Sequence, residues 1–195
     1  MRAKGYIQVY TGNGKGKTTA AIGLAIRALG AGKRVYFQQY MKGKGYSEHK
    51  ILAGFAPSLE LSMVGKPFFI AREGEISEKD LEQYGGECVV FPPGHPPRDY
   101  VRLIEKGMDA AKEAMASGEY DLVVLDEINC AMYFELISPA SVMDALHSRD
   151  PHTEVVLTGR QCPQEILASA DLITEMREIK HYYTEGVLAR KGIEN

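Results

Sequence analysis

The chain has 195 residues, 45% of them apolar, with 23 basic against 26 acidic residues and a formal net charge of −3. That is enough apolar mass for one domain with a real core, and the even spread of charge leaves no basic stripe of the kind that tracks a nucleic-acid backbone. No run approaches the ~20 apolar residues of a membrane span, no segment reads as an export signal, and Cys88, Cys130 and Cys162 are scattered without a C-x-x-C pair. The expectation is a cytoplasmic protein with reduced thiols, no membrane and no nucleic-acid partner.

Gly5 to Tyr10, GYIQVY, is short and rich in β-branched and aromatic residues, which reads as a strand running into a glycine-rich turn. From Lys17 the period changes: Ala20, Ala21, Leu24, Ala25, Ala28 and Leu29 share one helical face, and Gly30 with Gly32 supplies the stop. Arg34 to Tyr40, RVYFQQY, reads as a second strand, so the first forty residues form a βαβ unit and predict a parallel sheet. Leu59 to Val64 is a further strand candidate. From Gly65 to Arg98 the pattern breaks at Gly74, Gly85-Gly86, Pro92-Pro93 and Pro96-Pro97, an excursion from the core.

Asp99 to Ala116 reads as a helix closed near Gly118. Asp121 to Glu127, DLVVLDE, is an apolar run too short for a helix, the mark of a buried parallel strand with two acids at its C-terminal end. Ser138-Pro139 starts another helix, Thr153 to Gly159 is a second buried strand, PQEILASA is a short helix, and DLITEMREI is a last strand.

Gly16-Lys17-Thr18 fits the G-x-x-x-x-G-K-[ST] phosphate loop, but Thr11 stands where its first glycine belongs. Gly12, Gly14 and Gly16 still allow successive N–H groups to converge on an anion at a helix N-terminus. Lys17 would neutralise phosphate charge, the Thr18 hydroxyl would ligate Mg²⁺ (or Mn²⁺), and Asp126-Glu127 would complete the metal site. ATP or GTP binding follows, whereas the choice among kinase, ATPase and group transfer does not.

Four segments together, TGNGKGKTTAAIGLAIRALGAGK, VVLDEINCAMYFELI, TGRQCPQEILASADLITEMREIKH and GVLARKGI, resemble the ATP:corrinoid adenosyltransferases of the CobA/BtuR/CobO type. The likeness is dense from Gly5 to Lys42 and from Asp121 to Ile193, and the spelling T-G-N-G-K-G-K-T-T is characteristic of that family. The resemblance implies an α/β fold, a P-loop NTPase-like (RecA-type) three-layer sandwich with a mostly parallel sheet, in one domain over 1–195 with an irregular insert at about 65–98. It implies transfer of the 5′-deoxyadenosyl group of ATP to the Co(I) of a reduced corrinoid, cobalamin, cobinamide or cobyrinic acid a,c-diamide, with release of inorganic triphosphate. A flavoprotein reductant and a homodimer are implied with it.

Carried over by position, Thr11, Gly12, Asn13, Gly14, Lys15, Gly16, Lys17, Thr18 and Thr19 bind ATP. Thr18 and Glu127 would hold the metal, with Asp126 as an alternative ligand or a supporting acid, so that Lys17, Thr18 and Glu127 would form the catalytic set. Arg160 and His181 match positions near the substrate cleft and are candidates for corrinoid binding. Phe68 and Phe69 are the nearest candidates for the aromatic cover on the corrin's lower face, with a place in the core as the alternative. Thr11 is expected to accompany an unusual placement of the triphosphate that leaves C5′ facing the corrin. The segment Glu73 to Arg98 is longer than the family pattern and reads as a lid or a passive loop. The competing activities are a P-loop ATPase or kinase, and a nucleotide-gated corrinoid carrier without turnover.

Overall fold

The computed structural model describes residues 3–43, 45–76, 81 and 88–194. Six strands form one sheet: β1 (Ile7–Thr11), β2 (Val35–Tyr40), β3 (Leu59–Val64), β6 (Leu122–Asp126), β7 (Glu154–Thr158) and β8 (Leu172–Glu175). Their spatial order is β3-β2-β6-β7-β1-β8, and all five pairings are parallel. Parallel strands need crossover connections, and the helices that supply them cover both faces. That is why β6 is buried at all five positions and β2 at all six.

On one face lie α1 (Lys17–Gly30) and α2 (Ser47–Ala53). Ala21, Ala25 and Ala28 of α1 and Leu52 of α2 pack with Val35, Phe37, Leu59, Leu122, Val124 and Val156. The other face carries α3 (Arg98–Ala116), α4 (Ile128–Tyr133), α5 (Pro139–His147) and α6 (Gln164–Ser169). There Tyr100, Ile104, Met108, Ala111 and Met115 of α3 form the larger core with Tyr36, Val123, Leu125, Val155, Leu157, Val142 and Ile166. Ser138 caps α5, its hydroxyl accepting from the Ser141 N–H, with Pro139 at the first helical position as the sequence predicts.

Two departures from the sequence reading are informative. The stretch read as an irregular excursion contains β4 (Phe69–Arg72) and β5 (Cys88–Phe91), which pair in parallel as a small separate sheet. Four-residue strands are too short to show a period, and the residues between them lie largely outside those described. The last strand is also shorter than DLITEMREI suggests: it ends at Glu175, and the chain from Met176 leaves the sheet to cross the loop after β1. Among the described residues no helix is long and apolar enough to cross a membrane.

Candidate active site

The carboxyl ends of β1, β2, β6 and β7 meet on one edge of the sheet, where loops in parallel α/β proteins carry ligands. The turn after β1 explains the threonine in the glycine's place. Thr11 stays in the strand, its Cα opposite that of Glu175, and its carbonyl accepts the Met176 N–H at 2.8 Å. The left-handed turn falls one residue later, at Gly12 (φ 93°), and again at Gly16 (φ 116°), the residue just before α1. No side chain caps α1, so the positive end of the helix faces the cleft. Gly14 is held differently: its N–H donates to the Met176 carbonyl at 2.6 Å, and a Cβ there would stand 2.7 Å from that oxygen.

Lys17 folds back over the loop and donates to the carbonyls of Gly12 and Gly14, each at 2.7 Å. Burial, then the charge of Arg160, push its pKa down. Asp126, fully buried at the end of β6, collects four hydrogen bonds. Oδ1 accepts from the hydroxyls of Thr18 (2.9 Å) and Thr158 (2.6 Å), and Oδ2 accepts from Lys42 Nζ (2.8 Å) and Gln39 Nε2 (3.1 Å). Lys42 Nζ also donates to Thr18 Oγ1 at 3.0 Å. Burial alone would lower the Lys42 pKa, yet Asp126 and Glu127 hold it above the usual value.

Glu127 follows in the left-handed region (φ 63°), and its N–H donates to Thr158 Oγ1 at 3.0 Å. That turn directs Glu127 into the cleft while Asp126 stays inside. The oxygen donors suit a hard cation: a hydroxyl and a carboxylate already bracket one positive charge, the Lys42 ammonium. Among the described residues no three His, Cys, Asp or Glu side chains cluster as a cage. A hydroxyl and one or two carboxylates are donors of the kind that hold Mg²⁺ together with substrate phosphates.

The cleft itself has a volume of about 500 Å³ and is lined by Gly14 to Thr19, Lys42, Glu127, Arg160 and His181 among others. A second cavity of about 620 Å³ is lined by Ala71, Arg72, Glu75, Phe134, Tyr183 and, again, Arg160 and His181. Both volumes lie in the range of small-molecule sites. Arg160 follows Gly159 (φ 130°), where a Cβ would meet Asn129 and Cys130, so the turn that presents it requires glycine. His181 Nδ1 accepts the Tyr183 N–H at 3.1 Å and starts a short 3₁₀ helix, Tyr182–Glu185.

From that helix the chain returns to the first cleft. Gly192, Ile193 and Glu194 line it, and Arg190 pairs with Glu194 at 2.9 Å while lying over the Tyr182 ring at 5.1 Å. The Tyr182 hydroxyl donates to the same carboxylate, and the two partners hold Glu194 down to about 2. Arg190, Tyr182 and Glu194 thus form a clasp that holds the C-terminal segment at the wall of the cleft.

Of the residues singled out from sequence, the structure brings Gly14 to Thr19, Glu127, Arg160 and His181 to the cleft, with Asp126 buried behind it. Thr11, Gly12 and Asn13 shape the loop without lining that cavity. Phe68 is half-buried, its ring edge-on to Tyr100 at 5.7 Å, and Phe69 is 49% exposed on β4; neither lines either cavity. Sequence reasoning missed Lys42, Gln39 and the bridging role of Thr158. The signal was available: Gln38 and Gln39 are polar residues inside an otherwise apolar strand, and Lys42 lies just past the C-terminal end of that strand.

The fold and cleft define a parallel α/β protein whose glycine loop opens on a cation-rich cavity adjoining a second. The chain belongs to the ATP:corrinoid adenosyltransferase BtuR/CobO/CobP family, whose model matches residues 3–195. It is 34% identical to corrinoid adenosyltransferase CobA of Salmonella typhimurium, over 98% of this chain and 86% of that one. It is 33% identical to the corrinoid adenosyltransferase of Escherichia coli K12 with the same coverage, and 34% identical to that of Sinorhizobium sp, covering 80% of the relative.

Proposed function

We propose that the protein transfers the 5′-deoxyadenosyl group of ATP to the Co(I) centre of a reduced corrinoid, forming adenosylcobalamin or its precursor and releasing inorganic triphosphate. The observation that carries this reading beyond family membership is the pair of adjoining cavities sharing Arg160 and His181. An ATPase needs one nucleotide cavity and water. Two substrates too large for one cavity must instead meet at a common wall.

ATP occupies the first cavity in this reading, within a P-loop NTPase-like (RecA-type) sandwich that forms one domain over 1–195. Because Gly14 N–H is already taken by Met176, the triphosphate is met by the amides that follow it and by Lys15 and Lys17. The Co(I) electron pair attacks C5′, the C5′–O bond breaks, and its electrons leave with the triphosphate, so the loop binds a leaving group. Lys15 and Lys17 disperse the charge that develops there. Mg²⁺ (or Mn²⁺) held by Thr18 and Glu127, with Asp126 adjoining, would neutralise part of the same charge when bound. Arg160 and His181 orient the two substrates at the shared wall.

The corrinoid occupies the second cavity. Ala71 of β4 lines it, and Phe69, two residues earlier on the same strand, would extend that wall as the aromatic cover. Phe68 keeps its edge contact with Tyr100. A reduced flavoprotein as electron donor, a homodimer and a cytoplasmic setting complete the reading, as the family leads one to expect.

The test is anaerobic incubation with chemically reduced cobalamin, Mg²⁺ and ATP, following the light-sensitive cobalt–carbon product together with triphosphate. Matched appearance of both is expected. Lys17→Ala should lower kcat/KM for ATP about tenfold or more, a loss of roughly 1.4 kcal/mol of transition-state stabilisation. ADP and phosphate without a photolabile product would return the site to phosphoryl chemistry, and binding of both ligands without a cobalt–carbon bond would make the protein a carrier.

A further inference from the structure

Lys42 is the cation already seated between Thr18 Oγ1, a metal ligand in the reading above, and Asp126 Oδ2, the carboxylate adjoining that site. Its ammonium lies 3.0 Å from Thr18 Oγ1 and 2.8 Å from Asp126 Oδ2, with 13% of the side chain exposed against a fully buried carboxylate. A metal ion ligated by those two oxygens and this ammonium cannot occupy the same space. Nor can Asp126 be left alone: a buried carboxylate without a countercharge is strongly unfavourable, however many neutral hydrogen bonds it keeps.

We infer that Lys42 is a resident cation that fills the divalent-metal position in the nucleotide-free protein and exchanges places when the triphosphate arrives. The metal therefore comes with the nucleotide and not before it. Three features support an exchange rather than a permanent ion pair. Lys42 lines the same cavity as Lys15 and Lys17, so the ammonium can reach an anion placed there by swinging its four-carbon stem. Its root is fixed by Met41, which sits in the left-handed region (φ 59°) at the end of β2. Its flank is the Tyr46 ring, 5.4 Å from Nζ, a face that favours a cation without binding it as tightly as a carboxylate does. Exchange also keeps the charge balanced: a new dication faces Asp126 while the displaced monocation faces a polyanion.

The inference rests on the proposed ATP site, so it is tested without nucleotide and without turnover, with Mn²⁺ as the probe. Free Mn²⁺ is followed by electron paramagnetic resonance as it is titrated into the nucleotide-free wild type, Lys42→Met and the double variant Lys42→Met/Asp126→Asn. Lys42→Met is expected to bind Mn²⁺ at least tenfold more tightly than wild type, and the double variant to lose that gain. A Lys42→Met protein that folds only when Mn²⁺ is added, judged by circular dichroism, supports the same conclusion. Equal Mn²⁺ affinity in wild type and Lys42→Met, or a loss of fold that Mn²⁺ does not reverse, overturns it. Failure of the adenosyl-transfer reading would be read in cobalt–carbon product and triphosphate, and neither enters this titration.

Discussion

Gly14 shows how a single residue can be demanded by packing rather than by backbone conformation. Its φ is not in the left-handed region, unlike those of Gly12 and Gly16, but a Cβ would stand 2.7 Å from the Met176 carbonyl and 2.9 Å from that of Arg177. Neither obstacle is a flexible side-chain tip. Gly14→Ala should therefore displace the Met176–Arg177 segment, a strap across the glycine loop, and cost about 1–3 kcal/mol, the usual range for overpacking, measured by urea unfolding, with ATP affinity falling in parallel by calorimetry. Unchanged stability would mean the strap is only loosely placed. At this scale motif spacing was enough to pick out Lys17, Thr18 and Glu127, which the fold brings to the cleft. It was not legible at Thr11, because the missing glycine could not reveal that the turn had moved to Gly12. Lys42 was hidden for another reason: its partner, Asp126, is 84 residues away.

Among the elements, α1 carries a residue that packing does not require. Gly23 lies exposed inside the helix, and a Cβ there meets nothing within 4 Å. Gly23→Ala should stabilise the protein by about 0.5–1 kcal/mol, the helix-propensity difference between the two residues, read as a raised Tm with unchanged turnover. The buried strands β2, β6 and β7 were visible in the sequence because helices on both faces impose continuous apolar runs. The helix α2 was not, since only Leu52 of its seven residues is buried and no period can emerge from one position. The small β4–β5 sheet escaped for the same reason of length. It nevertheless feeds the second cavity through Ala71 and Arg72, and Arg72 ties it to the main body by pairing with Glu135 at 2.9 Å beyond α4.

Across the whole molecule, the C-terminal clasp connects a remote segment to the cleft. Glu194 is held down to about 2 by Arg190 and Tyr182. Its folded value lies below its ordinary value of 4.5, so the contribution of the charged pair is fully present above about pH 4.5 and lost as the pH falls towards 2. Near neutral pH the clasp is closed. Arg190→Ala should open it, raising hydrogen exchange over residues 186–194 and raising KM for ATP severalfold, while exchange in β6 and β7 stays unchanged. Equal exchange in variant and wild type would show that the clasp is held by other contacts.

The sheet order also governs when the protein becomes competent as it is made. β1 is the first strand to leave the ribosome, yet its two neighbours in the sheet, β7 and β8, are the last two, and the strap from Met176 that seats Gly14 comes later still. Pairings of such long sequence separation form slowly, because the chain must close its largest loops first. The glycine loop is thus synthesised early and shaped late. A nascent chain halted anywhere before β8 would carry the full glycine motif without the Met176 contacts that hold Thr11 and Gly14 in the finished fold.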